Sequence, residues 1–182
     1  MPPLITTRRA TADDLDAMLG HVQAGFDSYT QFAPPGWQPP VARVEGPRTR
    51  MYLEDPETWA LLALVDGHSV AHVAFLPARD WPPSRQGGDL RAYPPISGLA
   101  HLWQLFVLPE WWGGGVAPLL HDRAIAQMRC RRFARARLFT PSLHARARRF
   151  YERHGWTAGQ EHWNEGLQLM LCEYRFRLDS AD

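Results

Sequence analysis

Residues 101–120, HLWQLFVLPEWWGGGVAPLL, carry one apolar run into a Pro109-Glu110 turn, then three consecutive glycines, then a second apolar run. The first run reads as a strand. The second reads as a helix with Pro118 in its first turn, where a missing N–H loses no hydrogen bond. Gly113, Gly114 and Gly115 leave the backbone N–H groups of the loop uncovered by side chains. The following helix turns its unpaired N–H groups and the positive end of its dipole back onto that loop. Strand, bare loop and helix N-terminus together make a seat for a phosphate or pyrophosphate. Three glycines in isolation would make only a flexible connection; the flanking elements give these a task.

Two common phosphate motifs are excluded. A Walker loop ends in Gly-Lys-Ser/Thr, and the chain contains no lysine. A dinucleotide fingerprint needs G-x-G-x-x-G, and counting from Gly113 puts Pro118 where the third glycine belongs.

Trp112-Gly113-Gly114-Gly115-Val116-Ala117 resembles motif A of the GNAT superfamily of N-acetyltransferases, Gln/Arg-x-x-Gly-x-Gly/Ala, with Trp112 in place of the usual Gln or Arg. The resemblance implies that these six residues hold the pyrophosphate of acetyl-CoA. It also implies that the preceding strand splays from its neighbour, so that pantetheine bonds to its backbone at Leu105, Phe106 and Val107. The segment from Ser142 to Trp156 is similar to the family's motif B, N-x-x-A-x-x-x-Y-x-x-x-G-F. Read alone, it is a helix with Ser142 as N-cap, Gly155 as the residue that ends it, and Leu143, Ala147, Phe150 and Tyr151 on one face. By resemblance Tyr151 protonates the departing thiolate, and His144 stands where an Asn often contacts pantetheine. On an amphipathic helix Tyr151 also reads as an ordinary core residue.

The resemblance covers most of the chain and implies an α+β GNAT fold: a twisted, mostly antiparallel sheet of six to seven strands, splayed at the cofactor site and flanked by about four helices. The remaining sequence fits a single domain over residues 1–182, a length sufficient for a core. Ile5–Arg8 predicts a first strand, and Thr11 to Asp14 a capping start for a helix presenting Leu15, Met18, Leu19, Val22 and Phe26. Phe32 to Pro47 reads as an irregular connection, which in the family helps form the acceptor pocket. Asp66-Gly67 between two apolar runs predicts a hairpin. Thr157 to Trp163 and Gln168 to Arg177 predict two last strands. Pro77 to Gly98, rich in Pro and Gly, reads as a long insertion, either a lid over the acceptor site, a surface against a partner subunit, or inert.

Composition limits the partners. Twenty Lys+Arg against nineteen Asp+Glu give a net charge of +1, which offers no reason to expect nucleic acid or an anionic membrane. The arginines from Arg129 to Arg149 form a local concentration, on an antiparallel strand and two helices, from which one or two can reach the 3′-phosphate of coenzyme A. Two cysteines and dispersed histidines suggest neither a disulfide framework nor a metal site. No signal peptide or spanning segment is apparent, so a cytoplasmic enzyme is expected, and a homodimer stays open.

The implied reaction is attack of a primary amine on the acetyl-CoA thioester. Alkyl amines have a pKa near 10.4, so about 0.1% or less is nucleophilic at neutral pH. Backbone N–H groups near Phe106 and Val107 would polarise the carbonyl. His101, near where some family members place a catalytic Glu or His, is the first choice of base, against a purely structural strand histidine. His72 is the second choice, and Glu110 is assigned to supporting the loop. Phe26, Tyr29, Phe32, Trp37, Trp81 and Tyr93 point to a small amphipathic or aromatic amine, with a peptide amine open. Competing readings are a non-catalytic acyl-CoA-binding module and an acyltransferase for a longer acyl group.

Overall fold

In the computed structural model, which describes residues 4–80 and 92–179, seven strands form one sheet. In chain order the elements are β1 (Ile5–Arg9), α1 (Leu15–Ser28), α2 (Gly46–Glu54), β2 (Trp59–Val65), β3 (His68–Arg79), β4 (Pro95–Val107), α3 (Val116–Cys130), β5 (Arg135–Pro141), α4 (Ala145–Arg153), β6 (Thr157–Asn164) and β7 (Leu169–Arg177). The spatial order is β1-β2-β3-β4-β5-β7-β6, antiparallel throughout except for β4 beside β5. The fold is therefore the mostly antiparallel α+β architecture anticipated. One detail differs: β5, expected as an antiparallel strand, runs parallel to β4 and antiparallel to β7.

Strand alternation separates two cores. Leu61, Ala63 and Val65 of β2 join Val116, Leu120, Ala124 and Met128 of α3 on one face. Ala60 and Leu62 turn the other way, to Met18 of α1 and Leu53 of α2. Asp66 and Gly67 both take positive φ, 49° and 79°, as a type I′ hairpin turn requires. Among the described residues no helix is long and apolar enough to cross a membrane.

Two irregularities in β4 create the site. Ala74 faces Gln104 while Phe75 faces Leu102, so Trp103 is the extra residue of a β-bulge. The bulge shifts the side-chain alternation: Leu102, Leu105 and Val107 serve the α3 core, whereas Gln104 and Phe106 face α1 together with His101. The second irregularity is the β4–β5 pairing, which spans only Leu99 to His101. Beyond His101 the two parallel strands part, and the splay anticipated from the resemblance is present.

Three expectations need correction. Pro77–Gly98 is not all loop: Pro77 pairs with Ala100 and Arg79 with Pro95, so both ends belong to strands. The pairing is irregular there, and a missing proline N–H breaks no regular ladder. Residues 81–91, including Trp81, lie outside the described residues. The Phe32–Pro47 connection ends in a 3-10 turn at Ala42–Glu45, and Gly46-Pro47 already opens α2. Finally, α4 begins at Ala145 with His144 as its N-cap residue, not Ser142. A tight turn, His144 N–H to the Pro141 carbonyl at 2.9 Å, delays the helix and leaves Leu143 exposed rather than on its apolar face.

Candidate active site

The glycine loop joins β4 to α3. Gly113 and Gly115 have left-handed φ values of 81° and 82°, and Gly115 is the N-cap residue of α3. Only glycine takes this conformation without strain. Val116 and Ala117 follow in the first turn, where N–H groups have no carbonyl one turn back. The loop presents donors and no side chain.

Beside it lies a cavity of about 390 Å³ running along β4 from Leu102 to Val107, closed on the other side by Thr140, His144 and Tyr151. Leu108 N–H bonds to the Val70 carbonyl at 2.9 Å, which fixes the orientation of the strand's peptide groups. By alternation Gln104 and Phe106 direct their backbone groups to β3, and Leu105 and Val107 direct theirs into the splayed gap. The N–H of Phe106 is therefore engaged in the sheet, and the donors facing the gap are Leu105 and Val107. The Val107 carbonyl is also taken, by the indole N–H of Trp112 at 2.8 Å. The Arg146 guanidinium lies 4.4 Å over the same indole. Where the motif usually has Gln or Arg, this chain has a tryptophan carrying a cation on its face. Trp112 and Arg146 lie far apart in sequence, so no local pattern links them.

Tyr151 is buried on α4. Burial first, and the neighbouring Tyr29 second, raise its phenol above the ordinary range and keep the hydroxyl protonated at neutral pH. His144 stacks on Phe32 at 4.8 Å and meets Tyr29 edge-on at 5.4 Å. Burial, then Arg146, push its pKa down to about 4, so it is a neutral aromatic wall.

A second cavity, about 410 Å³, lies between α1, the 3-10 turn before α2, and β4. Phe26, Tyr52, Trp103, Phe106 and Phe139 give it an aromatic lining, with Glu45 and Arg48 as its charged pair. Tyr29, Trp103, Gln104, Phe106 and Phe139 belong to the walls of both cavities. Of the aromatic residues singled out in sequence, Phe26 and Tyr29 line this space, while Phe32 and Trp37 support Tyr29 from behind. Tyr93 offers its carbonyl to Arg79.

His101 lines the second cavity, and its Nδ1 is buried without a partner. Burial, then Arg137, lower its pKa to about 3. His72 lines neither cavity; it is fully buried behind Gln104. Glu110 is exposed in the Pro109–Trp111 turn. Gln104 is the wall residue that sequence reading missed, because nothing before the bulge was located told which face it took.

Residues 22–156 match the profile of the Acetyltransferase (GNAT) family. The chain belongs to the GNAT acetyltransferase family. Its members use acyl-CoA and acetylate amines. Solved structures agree with the fold. The PaiA N-acetyltransferase of Thermoplasma acidophilum, in complex with coenzyme A, is 14% identical, with a TM-score of 0.66 over 95% of this chain and 99% of that one. An N-acetyltransferase from Staphylococcus aureus Mu50 is 15% identical, with a TM-score of 0.69 over 97% and 99%. The ribosomal-protein-S18-alanine N-acetyltransferase of Escherichia coli is 14% identical, with a TM-score of 0.64 over 98% and 97%. Among curated proteins none matches significantly. The GNAT chain is thus an acyl-CoA-dependent acetyltransferase whose acceptor its own cavity must explain.

Proposed function

We propose that the chain transfers the acetyl group of acetyl-CoA to a primary amine of a small molecule or peptide by direct attack, with both substrates bound. The observation that carries this reading is the shared wall: two cavities meet at Gln104 and Phe106, beside the unpaired stretch of β4. A thioester in one and an amine in the other would meet there without an acyl-enzyme.

In this reading the bare loop Gly113–Ala117 and Arg146 hold the pyrophosphate, and Leu105 offers pantetheine its backbone. The amine nitrogen forms the C–N bond, and the N–H of Val107 receives the developing oxyanion. The C–S bond then breaks, and Tyr151 donates its hydroxyl proton to sulfur. His101, held neutral and weakly basic, accepts the proton that nitrogen sheds as the C–S bond breaks, when that nitrogen is becoming an amide nitrogen and is far more acidic than a free ammonium. The aromatic lining of the second cavity suits an acceptor with an apolar or aromatic body.

Calorimetric titration with acetyl-CoA and free coenzyme A, followed by thiol release on phenethylamine, benzylamine, spermidine and an alanine-terminated peptide, tests the proposal. Binding with release on any of them supports it. Binding with no release on a broadened panel favours a non-catalytic acyl-CoA-binding module, and absence of binding overturns the reading of the loop.

A further inference from the structure

Behind the wall shared by the two cavities runs a buried chain of polar groups drawn from three elements. His21 of α1 has Nε2 3.1 Å from the Ser69 carbonyl. Its Nδ1 lies 3.0 Å from Nδ1 of His72 on β3. His72 Nε2 lies 3.0 Å from the side-chain amide of Gln104 on β4. Both rings are buried.

Counting protons orients every member. A carbonyl only accepts, so His21 donates through Nε2, with Ser69 Oγ 3.4 Å from the same atom. A neutral imidazole carries one proton. His21 Nδ1 is therefore bare and accepts Nδ1–H of His72, which leaves His72 Nε2 bare as well. That nitrogen needs a donor, yet the amide atom facing it is Oε1. Two lone pairs would oppose one another.

With His21 Nε2–H kept on the Ser69 carbonyl at 3.1 Å in preference to accepting from Ser69 Oγ at 3.4 Å, two arrangements remove the conflict: an extra proton on the histidine pair, or a half-turn of the Gln104 amide that brings its NH2 to His72. Burial, reinforced by His21, lowers the pKa of His72 to about 3, and burial lowers that of His21. The pair is neutral at pH 7, so the half-turn stands. Amide oxygen and nitrogen are nearly equal in size, and the proton count is what tells them apart.

We propose that Gln104 is a positioning residue for the acceptor amine, its NH2 held inward by the His72–His21–Ser69 chain and its carbonyl oxygen turned out to receive an N–H of the amine. The proposal rests on the amine-acetylation reading above. Gln104 lies in both cavity walls, next to Leu105, whose backbone faces the gap. A fixed carbonyl there takes an N–H from the nucleophile and leaves the nitrogen lone pair free to face the thioester. His72 acts through Gln104 and is not the base.

Two measurements test this. Long-range ¹⁵N–¹H correlation of the histidine rings at pH 7, assigned with His72→Gln, should find His72 as the Nδ1–H tautomer and His21 as the Nε2–H tautomer. An Nε2–H tautomer or an imidazolium at His72 overturns the orientation. In kinetics, Gln104→Leu, or Gln104→Met if the first does not fold, should raise the amine KM at least tenfold while acetyl-CoA affinity stays within twofold. Unchanged KM, or equal loss for both substrates, overturns the positioning role. If the wild-type protein acetylates no amine of the panel although the tautomers are as stated, the acetyl-transfer reading fails and takes the role with it.

Discussion

The Arg146 guanidinium lies 4.4 Å from the centre of the Trp112 ring, at the position where the family's motif A usually carries its own polar or cationic side chain. An exposed cation over an indole gains about 0.5–1 kcal/mol, enough to hold the arginine over the loop without burying it. Arg146→Ala should weaken acetyl-CoA about tenfold, the loss of one charge-assisted phosphate contact. Acetyl-pantetheine, which lacks the nucleotide and pyrophosphate, should bind the variant and the wild type alike. Equal losses for both ligands in calorimetry would remove Arg146 from the phosphate site.

Phe106 owes its place to Gly25. A Cβ on Gly25 would sit 2.3 Å from Cδ1 of the Phe106 ring, which is hemmed by Phe26 at 6.1 Å and His72 at 5.8 Å. Gly→Ala inside a helix ordinarily stabilises by about 0.5–1 kcal/mol. Overpacking opposes it by about 1–3 kcal/mol, and with the ring hemmed on both sides overpacking wins. Gly25→Ala should therefore lower the denaturation midpoint by about 1 kcal/mol equivalent and raise the amine KM, because Phe106 is in the shared wall. A stabilised variant with unchanged kinetics would show that the ring moves freely.

Tyr151→Phe removes a hydroxyl and little volume. If that hydroxyl protonates sulfur, kcat should fall about 10²-fold while acetyl-CoA affinity holds. Burial raises the phenol's pKa, so the wild-type enzyme should keep this proton donor through pH 9. Unchanged kcat would return Tyr151 to the core role its helical face also permits.

What the sequence disclosed and what it hid follow from the range of the forces involved. The glycine loop, the Asp66-Gly67 hairpin and the Gly155 helix stop are local, set by φ angles that few residues tolerate, so they could be read directly. The frame of six to seven strands and about four helices was implied by the family resemblance that two motifs in order carry, and periodicity agreed with it. The bulge at Trp103 could not be read, because an extra residue is visible only against the partner strand. That single shift sends Gln104 and Phe106 to the α1 face and shapes the second cavity. The depressed basicity of His101 was equally invisible, since it depends on burial and on Arg137 of the neighbouring strand. Proline density between Pro77 and Gly98 misled for a related reason: the irregular pairing at the ends of β3 and β4 absorbs proline where a regular ladder would not.

Buried neutral histidines make the fold sensitive to acid. His72 and His101 have folded pKa values of about 3, against about 6.5 in an unfolded chain. Their folded values are depressed, so the stability is intact above pH 6.5 and is lost as pH falls toward 3, where the unfolded chain binds protons that the native one refuses. Each contributes a slope of up to about 1.4 kcal/mol per pH unit across that window. His101→Gln should reduce the slope of unfolding free energy between pH 6.5 and 4 by close to one proton. An unchanged slope would mean that His101 titrates normally in the native protein.

The same depressed values govern the pH dependence of turnover. The histidines in the two cavity walls, His101 and His144, have pKa values of about 3 and about 4 and stay neutral from pH 5 upward. The wall tyrosines, Tyr29 and Tyr151, are raised and stay protonated. Between pH 6 and 9 the group that changes charge in this space is the substrate amine, near pKa 10.4 for an alkyl amine. The logarithm of kcat/KM should then climb about one unit per pH unit with phenethylamine. It should level off earlier with a less basic amine such as benzylamine, the profile following the substrate rather than the enzyme. An inflection near pH 6.5 shared by both amines would instead reveal an enzyme base of ordinary histidine strength, and His101 would have to be exposed to water in the working complex.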